Sequence, residues 1–186
     1  MSTQEVNMSS QFKVNDGYIR SVSLVFYSSH YGFLLCDEFR KQFPDPSIKK
    51  MNSHLIGGKV DMDDKSALWC GLRELIEETE FYLNGRNKLQ MIRYLAEHLS
   101  NAKLIKYDEC VSVQKKLYNR TYVISLDRIE NKIEKDKIFS FFLNWKKHEK
   151  STLDRIYFWN KGDETQEKTS LLQKFVSILP NPILLA

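Results

Sequence analysis

The first part of the chain alternates hydrophobic and polar positions in the manner of β-strands. Residues 17–27 and 31–36 are β-branched and aromatic runs separated by Ser-Ser-His, which is typical of two strands with a tight connection. Pro44 and Pro46 interrupt residues 40–50, and proline lacks a backbone donor and restricts the residue before it. We therefore predict two strands followed by a loop.

The rest of the chain mixes helical and strand periodicities. Apolar residues recur at helical spacing in residues 66–80, for which Asp64 or Ser66 would be the N-cap, and again in residues 87–100. The later segments predict two strands, a helix, a strand and a closing helix, at residues 103–113, 116–126, 132–147, 153–159 and 165–179. Strands mixed with helices on this scale predict an α/β sandwich.

The composition suits a single domain. Of the 186 residues, 42% are hydrophobic, and no repeat or Pro/Gly/Ser-rich linker divides them. Residues 1–15 are polar, so we expect a flexible leader there and one domain over residues 16–186. The three cysteines lie far apart, which argues against a disulfide framework or a zinc site, and no signal peptide or membrane span is visible. We expect a cytoplasmic protein without membrane contact, and its oligomeric state stays open.

One predicted helix carries an acidic face. At about 100° per residue, Glu74, Glu77 and Glu78 fall on one side of the helix and apolar residues fall on the other, where they would pack against a sheet. Mg²⁺ and Mn²⁺ prefer oxygen ligands and complete their shell with substrate phosphates. Next to the glycine pair Gly57-Gly58, this trio indicates a pyrophosphate site.

A solvated helix face is the alternative interpretation of the same residues. Arg73 and Glu77 lie four residues apart, a spacing that often gives a surface pair worth a few tenths of a kcal/mol. Composition alone favours this alternative. The glycine pair, the length of the linker and the order Arg-Glu-x-x-Glu-Glu together favour the site.

Residues 57–81, GGKVDMDDKSALWCGLRELIEETEF, resemble the sequence box of the Nudix hydrolase (MutT-like) family. That box runs Gly, five residues, Glu, seven residues, Arg-Glu, an aliphatic residue, any residue, Glu-Glu, any residue, Gly and an aliphatic residue. The glycine pair and the segment Arg-Glu-Leu-Ile-Glu-Glu-Thr at 73–79 carry the match.

Three positions depart from the box. The gap between Gly58 and Arg73 is one residue longer than usual, and Lys65 stands where the upstream Glu is expected, so we take Asp64 as the replacement acid. Glu80 stands in place of the closing glycine. Because glycine favours the left-handed cap of a helix, we expect this helix to continue toward Asn84-Gly85.

The resemblance implies a fold, a reaction and residue roles. The fold would be an α/β/α sandwich around a central mixed β-sheet, and the reaction would be hydrolysis of a nucleoside diphosphate linked to another group, with Mg²⁺ or Mn²⁺. By the same resemblance, metal ligands would come from Glu74, Glu77, Glu78 and a backbone carbonyl of Gly57 or Gly58. Arg73 would orient the glutamates through a salt bridge.

Further site residues are less well marked. Relatives often add a carboxylate from a later loop as general base, and among Glu130, Glu134, Glu149 and Asp154 we choose Glu149, just before the last predicted strand. Three residues are candidates for substrate binding, although each also suits a structural role: Phe43 and Tyr31 for stacking on a nucleobase, and His54 beside the glycine pair.

The box leaves the substrate open. One interpretation is a pyrophosphohydrolase acting on nucleotide sugars, ADP-ribose, dinucleoside polyphosphates or nucleoside triphosphates. Another is an mRNA-decapping enzyme that releases m7GDP from capped RNA, and the net charge of +4 is compatible with it. Its basic track would come from Lys103, Lys106, Lys115, Lys116, Arg120 and residues 132–150. A third is a catalytically inactive Nudix-like binding domain, motivated by Lys65 and Glu80.

Overall fold

The computed structural model describes residues 12–14, 16–41, 44–82, 85–100, 105–129, 131–149, 151–160, 163–165 and 167–178. Within them the strands are β1 (Lys13–Val14), β2 (Gly17–Ser28), β3 (Gly32–Lys41), β4 (Lys49–His54), β5 (Ile56–Lys59), β6 (Ile105–Ser112), β7 (Leu117–Ser125), β8 (Arg155–Trp159) and β9 (Glu167–Lys168). The helices are α1 (Ala67–Thr79), α2 (Lys88–Ser100), α3 (Lys132–Leu143) and α4 (Ser170–Ile178), with a 3-10 turn at Leu126–Arg128.

The strands of the described residues form one mixed sheet in the order β6–β7–β2–β3–β4–β9, with β1 and β5 paired to β2 and β8 paired to β3. The β2–β7 and β4–β9 pairs are parallel, and the other pairs are antiparallel. Helices cover both faces. The predicted α/β class with a central mixed sheet is therefore confirmed.

Two apolar cores hold the helices to the sheet. On one face, Val22, Leu24 and Phe26 of β2 belong to the same buried cluster as residues of α1, α2 and α3. On the other face, Val25 and Tyr27 of β2 cluster with residues of α4. Successive strand residues point to opposite faces, so β2 contributes to both cores and fixes the position of α1 on the first of them.

Strands β2 and β3 separate along their length. They are paired beside their connecting turn, at residues 27–28 and 32–33. Further from the turn, residues 21–24 of β2 pair with β5, whereas β3 pairs with β4. Leu55 is the single residue between β4 and β5. Because β4 then pairs with β3 and β5 pairs with β2, β4 and β5 diverge from Leu55, and a cleft lies between them.

Helix α1 begins and ends with distinct caps. The Ser66 hydroxyl accepts the Trp69 N–H at 3.1 Å, which confirms Ser66 as the N-cap. Gly71 lies against Val22, so its missing side chain allows a close approach of α1 to β2. The expected continuation toward residues 84–85 is wrong: the helix ends at Thr79, and Glu80 adopts a left-handed conformation (φ 53°) while its N–H bonds the Ile76 carbonyl.

Several other boundaries differ from the sequence-based expectation. Strand β3 extends to Lys41 and β4 begins at Lys49, so the predicted loop is shorter, because antiparallel pairing extends into it. Helix α3 ends at Leu143 instead of residue 147, and α4 begins at Ser170 instead of residue 165. The expected leader lies mostly outside the described residues. Among the helices that are described, none combines the length and the apolar character that crossing a bilayer requires.

Candidate active site

Arg73 is the centre of an ion-pair network on α1. Its guanidinium donates to both oxygens of Asp64, at 2.9 and 3.1 Å, and to Glu74 Oε1 at 2.8 Å. It also donates to Glu77 Oε2 at 3.0 Å and to the Lys59 carbonyl at 3.0 Å. A planar fork with several donors suits such a set of acceptors. Arg73 therefore ties the helix to the segment that follows the glycine pair.

Asp64 is the buried partner in this network. Its side chain is 1% exposed, and its Oδ2 also accepts the Asp61 N–H at 2.8 Å. Burial opposes ionisation of this carboxyl, but the bonds from Arg73 and Asp61 outweigh burial and hold its pKa below the usual range. Asp64, the predicted replacement for the upstream Glu of the box, is therefore placed to orient Arg73.

The Glu74 carboxylate lies directly against Gly58. A Cβ on Gly58 would fall far inside van der Waals distance of the Glu74 carboxyl carbon and of both its oxygens. Glycine is therefore required at this position for Glu74 to approach the β5 backbone. Burial raises the pKa of Glu74, and the charge of Arg73 partly opposes that shift.

Both carboxylate oxygens of Glu77 are occupied by ion pairs. Oε2 accepts from Arg73, and Oε1 accepts from Lys88 Nζ at the beginning of α2. The side chain is 38% exposed, more than that of Glu74 at 16%. Glu77 therefore lies at the solvent edge of the acidic face and links α1 to α2.

In Glu78, one carboxylate oxygen has no partner within the part of the chain that the structure describes. Its Oε2 atom is buried and has no hydrogen-bond partner among the described residues. Burial, together with the negative charges of Glu74 and Glu38, raises the pKa of Glu78 to about 8. A buried oxygen that lacks a donor is costly, and a bound cation would remove that cost.

Glu38 and His54 form a pair whose carboxylate is near enough for its charge to act on Glu78. The sequence predicted His54 as a site residue but not Glu38. His54 is buried, its Nε2 lies 2.9 Å from Glu38 Oε2, and its Nδ1 lies 2.9 Å from the Leu55 carbonyl oxygen. Arg40 contacts the same Glu38 oxygen at 3.3 Å. Only the cross-strand pairing of β3 with β4 brings these residues together, and no spacing in the sequence signals it.

The last turn of α1 is capped by the segment after α3. The Trp145 indole donates to the Thr79 carbonyl at 2.9 Å, and the Ser151 hydroxyl donates to the Glu78 carbonyl at 3.0 Å. Trp145 lies beyond the end of α3 and packs against the core that holds α1. His148 lies 3.4 Å from the Glu78 carbonyl oxygen and from Glu80 Oε1.

The candidate general bases have different surroundings. Glu149 is exposed and follows His148 in the capping segment, at the end of α1 that holds Glu78. Asp154 is occupied by the Phe39 N–H and by Lys147, at 3.1 and 2.6 Å. Glu130 and the Glu134 side chain lie outside the described residues.

The cleft between the β2–β5 and β3–β4 pairs has a volume of about 310 Å³ and opens beside Gly57 and Gly58. Among the described residues that line it, none is acidic and none is Phe, Tyr or Trp. The other lining residues are Arg20, Ser21, Ser23, Arg40, His54, Leu55, Lys59, Asn119 and Thr169. This cleft is therefore polar and cationic.

The remaining predicted residues lie elsewhere. Tyr31 is in the β2–β3 turn, where its ring packs on Phe139 and Phe158, and it lines a different cavity of about 400 Å³. Phe43 lies outside the described residues. The structure thus brings His54, but not Tyr31, to the cleft beside the glycine pair.

Cations of the proposed basic track are partly paired. Arg120 donates to both oxygens of Asp108 at 2.6 Å, and Lys116 lies 3.1 Å from Asp16. Lys103 lies outside the described residues. Within the described ranges, no group of three His, Cys, Asp or Glu side chains is gathered closely enough to hold one metal ion.

Comparison with known proteins gives one structural similarity to describe. The chain is similar to the MutT protein from Methanosarcina mazei Go1, with 15% identity, 69% of this chain and 96% of that chain covered, and a TM-score of 0.31. No family matches the chain by sequence, and no curated protein matches it.

Proposed function

We propose that the protein is a metal-dependent pyrophosphohydrolase of the Nudix type. The observation that carries this proposal is the buried, unpartnered Oε2 of Glu78, on the same helix face as Glu74 and close enough to it for their charges to interact. Because α1 is fixed on the sheet by its apolar face, these carboxylates are held in place before any ligand binds.

The donor set fits a hard divalent cation. Glu74 and Glu78 offer carboxylate oxygens, and Gly58 allows Glu74 to approach the β5 backbone, whose carbonyls are further oxygen ligands. Glu77 would bind the cation only after its ion pairs with Arg73 and Lys88 are broken. We propose Glu74, Glu78 and a carbonyl of Gly57 or Gly58 as the principal ligands of Mg²⁺ or Mn²⁺, with Glu77 at the solvent edge.

Different residues of the chain would have different roles in the reaction. A bound divalent cation neutralises a pyrophosphate and lowers the pKa of a water molecule. Arg73, held by Asp64, keeps Glu74 and Glu77 in position, so that little reorganisation is needed when charge develops. Glu149 remains our proposal for the general base, because its segment is bonded to the last turn of α1.

Lys65 and Glu80, the departures that motivated the inactive interpretation, do not favour it in the structure. Asp64 forms the bidentate pair with Arg73, and Glu80 adopts the left-handed conformation in place of glycine. Pairing of Arg120 with Asp108 and of Lys116 with Asp16 leaves fewer cations for an RNA track. We therefore propose a small phosphorylated substrate before capped RNA.

The test combines metal binding with turnover. The protein is incubated with Mn²⁺ and a panel of ADP-ribose, diadenosine polyphosphates, nucleoside triphosphates and cap-labelled RNA, and Mn²⁺ binding is measured by calorimetry. We expect Glu78→Gln to lower kcat about 1000-fold and Glu77→Gln about 100-fold. Glu164→Gln, an exposed carboxylate outside the site, is the matched control and should behave as wild type.

Two outcomes would overturn the proposal. One is Mn²⁺ binding and turnover that survive in both Glu77→Gln and Glu78→Gln. The other is the absence of both Mn²⁺ binding and turnover of every panel member by the wild-type protein, which would favour the binding-domain interpretation. Release of labelled m7GDP faster than turnover of every small substrate would replace our choice of substrate with decapping.

A further inference from the structure

We propose that the cleft between the β2–β5 and β3–β4 pairs binds a phosphate-rich group of the substrate, beyond the bond that is cleaved. This inference rests on the proposed function for the reaction and adds to it a substrate class, namely molecules that carry a chain of several phosphates. Dinucleoside polyphosphates belong to this class, whereas ADP-ribose and nucleotide sugars do not.

The cleft adjoins the glutamate site at the β5 backbone. Gly58 lines the cleft and also lies against the Glu74 carboxylate. Lys59, the next residue, lines the cleft, and its carbonyl accepts a bond from Arg73. We therefore infer that a substrate whose pyrophosphate lies at Glu74 and Glu78 extends past Gly58 into the cleft.

The charges of the cleft favour an anion. Arg20, Arg40 and Lys59 come from three different strands, β2, β3 and β5, and converge on one cavity. Glu38, which contacts Arg40 at 3.3 Å, offsets part of this charge from behind the lining. Arg20 and Lys59 have no carboxylate partner within the described residues, and cations in a concave polar site attract phosphate groups more strongly than the same charges on a flat surface.

The neutral lining residues suit phosphate oxygens and not an aromatic ring. Ser23 offers a hydroxyl donor and Asn119 an amide donor, and the Ser21 hydroxyl donates to the Asn119 side-chain oxygen, which leaves the amide N–H groups of Asn119 for a ligand. Base recognition commonly uses an aromatic platform, and none lines this cleft among the described residues. The exposed aromatic Tyr31 lies in a different cavity.

The experiment separates binding in the cleft from metal chemistry. Binding of inorganic tripolyphosphate is measured by calorimetry in EDTA, so that the cations of the protein act alone, for the wild type, Arg20→Gln and Arg93→Gln. Arg93 is an exposed arginine of α2 outside the cleft, so Arg93→Gln is a charge-matched control. We expect Arg20→Gln to bind about tenfold more weakly, Arg93→Gln to bind as wild type, and affinity to fall as salt rises.

A kinetic arm tests the substrate class. In Mn²⁺, Arg20→Gln should raise KM for a diadenosine pentaphosphate several-fold while changing KM for ADP-ribose little. Equal binding of tripolyphosphate by Arg20→Gln and Arg93→Gln, or tighter binding of adenosine than of tripolyphosphate, would overturn the inference. If tripolyphosphate binding depends on Arg20 but no substrate is hydrolysed, the proposed function fails and the anion cleft stands. If substrates are hydrolysed and Arg20→Gln changes nothing, the cleft inference alone fails.

Discussion

Two carboxylates at opposite ends of helix α1, Asp64 just before it and Glu78 in its last turn, are in opposite environments. Near the beginning of the helix, Asp64 is buried but accepts two bonds from Arg73, and its pKa is held below the usual range. In the last turn, Glu78 is half-buried, its Oε2 atom is buried and has no partner among the described residues, and its pKa rises to about 8. The protein itself balances the first charge and leaves the second to be balanced by something that binds.

This difference distinguishes a residue that holds the site in place, Asp64, from a residue that is proposed to bind a ligand, Glu78. A paired buried charge costs stability only when its partner is removed, whereas an unpaired one already costs stability in the folded protein. Substitutions at the two positions should therefore change the free energy of unfolding in opposite directions. The following measurements test that contrast.

Asp64→Asn should cause the largest loss of stability. The substitution leaves the half-buried Arg73 with two glutamates instead of three acidic partners, so we expect the free energy of unfolding to fall by about 3 kcal/mol. Asp63→Asn, an exposed neighbour, should change it by less than about 0.5 kcal/mol. Urea denaturation of both variants gives the comparison, and equal stability of the two would mean that the Asp64–Arg73 pair contributes nothing.

Glu78→Gln should have a pH-dependent effect of opposite sign. Since the folded pKa of about 8 lies above the ordinary value of 4.5, the folded protein holds more protons than the unfolded chain between these pH values. Stability conferred by the protonated carboxyl is complete below pH 4.5 and is lost as the pH rises toward 8. In metal-free buffer, Glu78→Gln should equal wild type below pH 4.5, exceed it by less than about 1 kcal/mol at pH 5, and exceed it by roughly 4 kcal/mol at pH 8.

The same contrast can be checked by denaturation across the pH range. Groups other than Glu78 titrate in both proteins, so the difference between wild type and variant isolates this one carboxyl. A difference that does not change between pH 5 and pH 8 would show that Glu78 is ordinarily ionised in the folded protein.

Glu80→Gly should give the smallest effect, a gain of about 1 kcal/mol in the free energy of unfolding. A non-glycine residue in the left-handed region carries a steric cost that glycine does not. Glu80→Ala removes the carboxylate near His148 but keeps the steric cost, so it should not stabilise the protein. Thermal denaturation of the two variants separates strain from charge, and equal melting temperatures would exclude strain as the cause.

Local patterns in the sequence predicted the parts of the site that depend on nearest neighbours. Ser66 is the N-cap of α1, as predicted. Glu74, Glu77 and Glu78 all lie within α1, so the helical wheel that places them on one face applies to it. These features follow from the periodicity of a helix and from the hydrogen-bonding needs of its first turn. The sheet class likewise followed from the alternation of strand and helix patterns.

Contacts between distant segments could not be predicted in this way. The pairing of His54 with Glu38, of Lys88 with Glu77 and of Trp145 with Thr79 depends on how strands and loops meet in three dimensions. The end of α1 was also predicted wrongly. Because Glu80 stands where glycine would favour a left-handed cap, a longer helix was predicted. In the structure α1 ends at Thr79, where Trp145 and Ser151 bond its last carbonyls and the Glu80 N–H bonds the Ile76 carbonyl.

The bonds from Trp145 and Ser151 to the last turn of α1 also limit how the segment bearing Glu149 can move. A swing of that segment away from the glutamates would uncap two carbonyl groups of the helix that holds Glu78. The proposed base and the proposed metal ligands are therefore mechanically coupled, and they will shift together or not at all.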